Sequence, residues 1–520
     1  MKTSYLILFF FCSLPLFAEE GKEWTPKILD PKSGIFLPNY SFSGYRWGEK
    51  ELPQKKPTLS VEKFGAKPDD GKDDTKAVLT ALKHAMAQKG PVVLHFPPGR
   101  FLLSDILYIE RSHFVIQGSG SGKGGTVLAF TRSLNDMNLP ESFLKRRESL
   151  IKNKKYVKGK LFSLFSWSGG VIWTRLGGGS KYKGSKINGI SGVRGNHEIQ
   201  LEKPGSWKPN DTLDLRWYNT QGKESSFLKH VFGPDIKSYG VRLTDNATRA
   251  LVQQPVTVVS VKGKTLIIKE PLLHDLRPEW NNTLQQVLHL EEVGFEGFRV
   301  EFPDVPYAGH HLEEGYNGLS LTQLKHSWVK DVVINNTDAG ILTSGSKNLT
   351  YQNIAVTGRT GHYSVHIGGS YGVLCKDFRF ESSAVHDPSF NSKATLCVYS
   401  HGKVRHAKLD QHNGINHQNL FENLDIENGK DLFRHGGAGY WAPTAGQFNT
   451  FWNIRMKKAG KVSCRNAPSA RLIGLISETP GLKLDYHPKP YVEGLNQKGI
   501  SVPSLYEYQL DVRLSSSKSK

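Results

Sequence analysis

The 520-residue chain is poor in cysteine and methionine, with four of each. Cys12 sits in an N-terminal apolar run, which leaves Cys375, Cys397 and Cys464. An odd and widely spaced set excludes both a disulfide framework and a zinc–thiolate pattern. Buried thiols are expected, with a single Cys375–Cys397 bridge as the alternative. Few methionines beside 52 Gly, 26 Phe and 19 Tyr favour strands and turns over helix bundles. After residue 17 no stretch approaches 18 apolar residues, so no membrane insertion is expected of the mature chain. No HxH or HExxH spacing occurs, so no metal site is indicated by spacing alone. The glycine-rich QGSGSGKGGT is not a phosphate loop: Gln117 stands at the first glycine's place, Gly124 follows the lysine, and a strand rather than a helix comes next.

Acid is also scarce. Against 68 Lys and Arg stand 48 Asp and Glu, a net charge of +20. The chain opens with Lys2, an apolar run from Tyr5 to Phe17, then Ala18 and the acidic pair Glu19 and Glu20. That layout predicts a signal peptide over residues 1–18 and a secreted or periplasmic protein, with an uncleaved anchor as the alternative. Its removal takes only the charge of Lys2. The surplus favours a polyanionic partner; for an exported protein this means an acidic polysaccharide rather than nucleic acid. A monomer is expected.

Several segments carry organisation. LSVEKFGA reads as a strand, and PDDGKDD leads into a helix that starts at Asp73 or Asp74. Its apolar face is Val78, Ala81, Leu82, Ala85 and Met86, and Gly90 and Pro91 stop it. Short strands follow at VVLHFPPGRFLL, ILYIERSHFVIQG and TVLAF, while residues 131–190 give no clear pattern. Residues 195–278 read as a small antiparallel insertion, with a hairpin turning at Lys262-Gly263. From Val293 a repeat emerges in which Asp331, Asn353, Asp377, Asn423 and Asn453 are equivalent, the third interval covering about two coils. Alternation places Leu349, Tyr351, Phe378 and Phe421 in stacked inner layers. Near the end, Ser504 with Glu507 three residues on predicts a capping helix whose apolar face is Leu505, Tyr508 and Val512, followed by a disordered SSSKSK tail.

The order strand, DDT-type helix, FPPG and stacked short strands resembles the N-terminal cap and first coils of the pectate lyase and rhamnogalacturonase-like superfamily. That resemblance implies an all-β, right-handed parallel β-helix with an N-terminal capping helix. The division expected is a signal at 1–18, an extension at 19–57, a cap and first coils at 58–194, the insertion at 195–278, the main β-helix at 279–500 and a terminal helix and tail at 501–520. The resemblance implies action on a polysaccharide, by lyases that use Arg, Lys or His bases, some with calcium. Calcium is therefore left open as a cofactor.

Eight of the 19 histidines fall between Arg359 and Trp441. Imidazole titrates near neutrality, and Arg or Lys matches a uronate carboxylate. β-Elimination needs a cation to hold the carboxylate and a base for the adjacent proton. Arg434 or Arg405 is the expected cation, and His366, His417 or His435 the base. Tyr399 or Lys393 would protonate the leaving oxygen. In YSVHIGG, Val365 and Ile367 turn His366 outward; with Leu396 and Val398 in the core, Tyr399 would also face out. Arg359, His362, Lys393, His401, Arg405, His412 and Trp441 are expected to bind substrate, with His386, Asp387 and His406 in the same stretch. Two rival readings stay open. Asn336-Thr337-Asp338 and Gly361-His362 loosely resemble motifs of the polygalacturonase-like glycoside hydrolases, but Arg359-Thr360-Gly361 stands where a paired aspartate belongs; Asp387 or Glu313 would have to supply the second carboxyl. The other is a non-catalytic glycan binder using Trp441, Tyr440 and Tyr371.

Overall fold

The computed structural model describes residues 23–177, 180–433, 436–459, 461–464, 468–480 and 482–518. The expected signal peptide lies outside them. Among the described residues no helix is long and apolar enough to cross a membrane.

The coils wind into a right-handed parallel β-helix with one 14-stranded sheet and a second, seven-stranded parallel sheet. Strands Trp328–Asn335, Thr350–Thr357, Leu374–Phe380, Val398–His406, Leu420–Asn428 and Thr450–Lys458 follow one another in register along the first. The repeat residues Asp331, Asn353, Asp377, Asn423 and Asn453 all adopt positive φ, between 49° and 56°. His401, φ 53°, marks the coil between Asp377 and Asn423. Each sits where the strand bends, between register pairs such as Lys330 with Gln352 and Val332 with Ile354. Asn, Asp and His tolerate this left-handed backbone better than other side chains, which explains the repeat's composition.

Inside, like residues stack along the axis. Tyr351, Cys375, Tyr399, Phe421 and Phe451 form one column by register, and the rings of Tyr399, Phe421 and Phe451 lie 5.6 and 5.5 Å apart. Cys375 and Cys397 are free, buried thiols, so the alternative bridge is not formed. Cys375 stacks on Tyr399 rather than on Cys397.

Helix Thr75–Ala87 closes the N-terminal end, burying Val78, Ala81, Leu82 and Ala85, and Asp73 accepts the Thr75 amide at 2.7 Å. Residues 131–190 contain a further helix, Glu141–Lys152, whose Phe143 packs edge-on against Trp173. The antiparallel sheet of the insertion begins at Tyr182 and ends at Val287, wider than 195–278, because strands Tyr182–Ile187 and Thr283–Val287 pair with each other. Its hairpin turns at Gly263, φ 58°.

The terminal helix, Leu505–Lys518, differs from expectation in two ways. It runs on through the serines of the expected disordered tail. Its buried residues are Leu505 and Tyr506, whereas Tyr508 and Val512 are 40% and 51% exposed. In its first turn Ser504 accepts the Glu507 amide, and the buried Glu422 accepts the Ser504 hydroxyl and the amides of Leu505 and Tyr506; farther along, Gln509 and Arg513 bind Tyr40, Ser41, Trp47 and Glu49 of the N-terminal extension.

One buried ion pair joins the parts. Lys347 on the β-helix meets Glu270 of the insertion, both side chains 0% exposed. Glu270 also accepts Trp47 Nε1 of the N-terminal extension at 2.6 Å and the Thr257 amide at 2.7 Å. Burial pushes the Glu270 carboxyl up, but Lys347, with Thr257 and Trp47, holds the group below its ordinary value. Removing one partner leaves a buried charge unmatched. Lys347→Met should therefore destabilise the protein by about 3–5 kcal/mol in urea denaturation, while Lys347→Met with Glu270→Leu should recover most of the loss.

Candidate functional site

Three successive coils place Asp338, His362 and His386 in one column. The His362 amide donates to Asp338 O at 2.6 Å, and the His386 amide to His362 O at 3.0 Å. On the adjoining seven-stranded sheet Val365 and Ile367 point inward, so His366 faces out. It shares its outer row with Leu342, Ser389 and Asp410. Asn391 and His412 form the neighbouring outer row.

Two loops cover this face. The 303–316 loop brings His310, His311 and Glu313. Its end is pinned by Asp338, whose Oδ2 accepts the amides of Gly315 and Tyr316, each at 3.0 Å, while Oδ1 pairs with Arg359 at 2.8 Å. From the other side Gly436 donates its amide to Asp410 at 3.0 Å. A Cβ on Gly436 would stand 2.0 Å from His412 Nδ1 and 2.6 Å from His386 Cε1, so only glycine allows the approach.

The result is a cluster of imidazoles backed by carboxylates. The rings of His310 and His311 stack at 3.8 Å, and His310 lies 4.8 Å from His362 and 5.5 Å from His386. His362 Nδ1 lies 3.0 Å from Glu313 Oε1, close but poorly aligned for a hydrogen bond. His386 and His412 present Nδ1 to Asp410 at 3.2 and 3.6 Å. Burial pushes Glu313 up, but His362, Ser166 and the backbone together bring it down to about 2. Asp410 is likewise raised by burial and brought well below the carboxylate range by His386 and His412. Burial, then the neighbouring imidazoles, lower His366 and His310 to about 3. A cleft of about 740 Å³, counting its open mouth, borders the cluster at His310, Thr360, His386 and Lys408.

The residues singled out from sequence are dispersed over several faces. His362, His366 and His412 come together here, with Arg359 at the edge through Asp338. Arg434 and His435 lie outside the described residues. Tyr399 is not outward: it is 0% exposed in the core column, and its hydroxyl donates to Val365 O at 2.8 Å and lies 3.2 Å from Ser389 O. It cannot reach a sugar. Leu396 and Val398, taken as core, pack beneath the insertion instead. His401 is a bend residue beside the terminal helix, Nδ1 2.7 Å from Ser400 Oγ, and Arg405 is an exposed residue of the 14-stranded sheet near Glu427. Both stand apart from the cluster.

Lys393, His417 and Trp441 face the insertion. Lys393 donates to Gln253 at 2.8 Å, and burial lowers its amine to about 8. It lines a second cleft with Lys181, Tyr182 and Asp214. Trp441 receives the guanidinium of Arg249 at 4.3 Å. His417 ends a chain of imidazoles, its Nε2 2.8 Å from His274 Nε2, whose Nδ1 is 2.9 Å from His230 Nε2. For the hydrolase reading, Asp338 is tied as described, and Asp387 accepts the Ser364 hydroxyl and amide in a fully enclosed setting, burial pushing it up to about 7. Asp410 and the adjacent pair His310 and His311 were missed. The run Gly309-His-His-Leu-Glu313 is a readable signal, but it lies some 50 residues before His362.

Residues 58–164 match the family model described as rhamnogalacturonase A/epimerase, pectate lyase-like. That match covers about a fifth of the chain and is a likeness of its cap and first coils, and the architecture above is a parallel β-helix. No curated protein matches the sequence. Among solved structures it is similar to the tailspike protein gp49 from Pseudomonas phage LKA1, at 12% identity over 84% of this chain and 80% of that one, TM-score 0.49. It is also similar to PfbA, a surface adhesin of Streptococcus pneumoniae, at 12% over 84% and 81%, TM-score 0.40, and to a hyperthermoactive exopolygalacturonase from Thermotoga maritima, at 9% over 85% and 79%, TM-score 0.34. These likenesses concern overall architecture.

Two outcomes follow from the buried groups. Burial lowers His417 to about 3 and His230 to about 4, with Arg194 adding to both. Groups with folded values below the unfolded 6.5 stabilise above that pH, and the contribution is lost on acidification. The thermal midpoint should fall as pH drops from about 6.5 to about 4, less steeply in His417→Gln. Tyr399→Phe should cost about 0.5–1.5 kcal/mol in denaturation, since the hydroxyl serves only core carbonyls.

Proposed function

We propose that this chain is a polysaccharide lyase that cleaves a uronate-containing glycan, sulfated or not, by β-elimination at the imidazole cluster. The observation that carries the reading is that the cluster's carboxylates are occupied by protein donors while two of its imidazoles, His310 and His386, line the cleft. Glu313 accepts from Ser166, Tyr307 and the His311 amide. Asp338 holds Arg359 and two loop amides. Asp410 accepts from Ser389 and Gly436, with His386 Nδ1 3.2 Å away. All three residues are at most 2% exposed. Glycoside hydrolysis needs two carboxyls facing the sugar, one to donate a proton and one to attack or activate water. Elimination needs a base and positive charge, and the cleft is lined by the imidazoles of His310 and His386 and by Lys408.

His412 is the base in this reading. It is the partly exposed imidazole of the neighbouring outer row, its ring 4.6 Å from that of His386 at the cleft, with Asp410 3.6 Å from its Nδ1. The proton next to the uronate carboxylate passes to the imidazole, its electron pair forms the ring double bond, and the bond to the β-oxygen breaks. That oxygen leaves with a proton from solvent. Lys408 adds positive charge at the cleft, and the net charge of +20 suits a polyanionic chain. The family match over residues 58–164 supports a pectin-like class of substrate. A leader at residues 1–18 would deliver the protein to where such glycans occur.

The test incubates the purified chain with a panel of acidic glycans, following the ultraviolet absorbance of unsaturated uronate and the reducing ends in parallel. Both should rise, and His412→Ala should lower turnover by about 10²–10⁴-fold with unchanged circular dichroism. Reducing ends without absorbance would overturn elimination in favour of hydrolysis. Silence in both assays for a glycan that the protein retains on a column would overturn catalysis in favour of binding.

A further inference from the structure

We infer that His310, His362 and His386 form a binding site for a divalent transition metal of the zinc class, with one coordination position open to the cleft. One ring nitrogen from each lies within 4.8 Å of the other two. His362 and His386 are buried, and the Nε2 of each is enclosed without a hydrogen-bond partner among the described residues. A buried imidazole nitrogen with no partner is costly. Two such atoms in one cluster are explained if a ligand completes them.

The surroundings have the form that metal ligation requires. A ligating histidine commonly turns its second nitrogen to a carboxylate, which sets the tautomer and strengthens the donor. Here His362 Nδ1 lies 3.0 Å from Glu313 and His386 Nδ1 3.2 Å from Asp410. Glu313 is itself steadied by Ser166 and Tyr307 at 2.7 and 2.8 Å. His310 is the exposed member and stands on the cleft side, so three imidazoles close the inner side of the site and leave the outer side to water or an anionic oxygen. Three nitrogens with an open fourth position suit zinc at about 2.0–2.1 Å. Calcium takes six to eight oxygens, and this cluster is built of nitrogen. An adjoining triplet, His386, Asp410 and His412, shares His386.

Occupancy of the site does not depend on the reaction proposed above, although a bound dication would hold a uronate carboxylate where the lyase reading needs charge. The test uses the full chain without a histidine tag, stripped with chelator and titrated with zinc chloride or with calcium chloride alone. The expected result is one zinc per chain by elemental analysis, a raised thermal midpoint, and no response to calcium. Cobalt in place of zinc should give the visible absorption of a tetrahedral site. His310→Ala, which alters an exposed residue and should fold normally, should abolish stoichiometric binding, as should His386→Gln. Glu313→Gln should weaken it about 10–100-fold, and His401→Ala, remote from the cluster, should leave it intact. No zinc in the stripped and reloaded protein, calcium binding in its place, or one zinc retained by both His310→Ala and His386→Gln would overturn the site. Zinc bound without unsaturated product on any glycan would leave the site standing and sink the lyase, whereas product from protein that takes no zinc would do the reverse.

Discussion

The buried pair of Lys347 and Glu270 is the constraint on which the layout depends. A β-helix coil exposes its outer face to whatever is docked there, and docking a separate sheet requires a contact that tolerates only one position. A lysine and a glutamate withdrawn from water meet that condition, because any displacement leaves both charges uncompensated. Glu270 also binds Trp47 and Thr257, so the N-terminal extension, the insertion and the coils share one anchor. Glu422 acts similarly at the other end, gathering the first amides of the terminal helix.

Once the insertion is seated, the outer surface divides into faces with different work. One is covered by the insertion and carries Lys347, Lys393 and His417. Another, the bend of the 14-stranded sheet, carries His401 and Arg405. The third carries the column from Asp338 to His386 and the outer rows of His366 and His412. The same repeat thus presents histidine to a packed interface, to a backbone bend and to an open cleft. Its chemistry depends on which of these it meets. On the third face the carboxylates serve as orienters of imidazole and anchors of loops, which is the physical basis for reading the centre as one of nitrogen bases and metal ligands rather than of paired acids.

Much of the fold was legible. The capping helix announces itself through Asp73 and an apolar stripe, and the coils through Asp or Asn at each bend, because a left-handed backbone restricts the residue chosen. His401 completes that series. The outward turn of His366 also followed from alternation. Tyr399 did not, since Leu396 and Val398 are apolar on the outer side where they meet the insertion, and a strand apolar on both faces carries no alternation to read. The terminal helix misled for a related reason: it is fastened by polar contacts, its first turn to Glu422 and its Gln509 and Arg513 to the N-terminal extension, rather than by a continuous apolar stripe.

What the sequence by itself determined is local: strand, bend, cap and helix, each set by the backbone conformation a few neighbouring residues will accept. What only the tertiary structure decided is which polar groups meet. His310 reaches His362 across 52 positions and Asp410 reaches His386 across 24, through loops laid over stacked coils. Such contacts are fixed by the rise of the solenoid and the seating of the insertion, and neither is encoded in the spacing of any one segment.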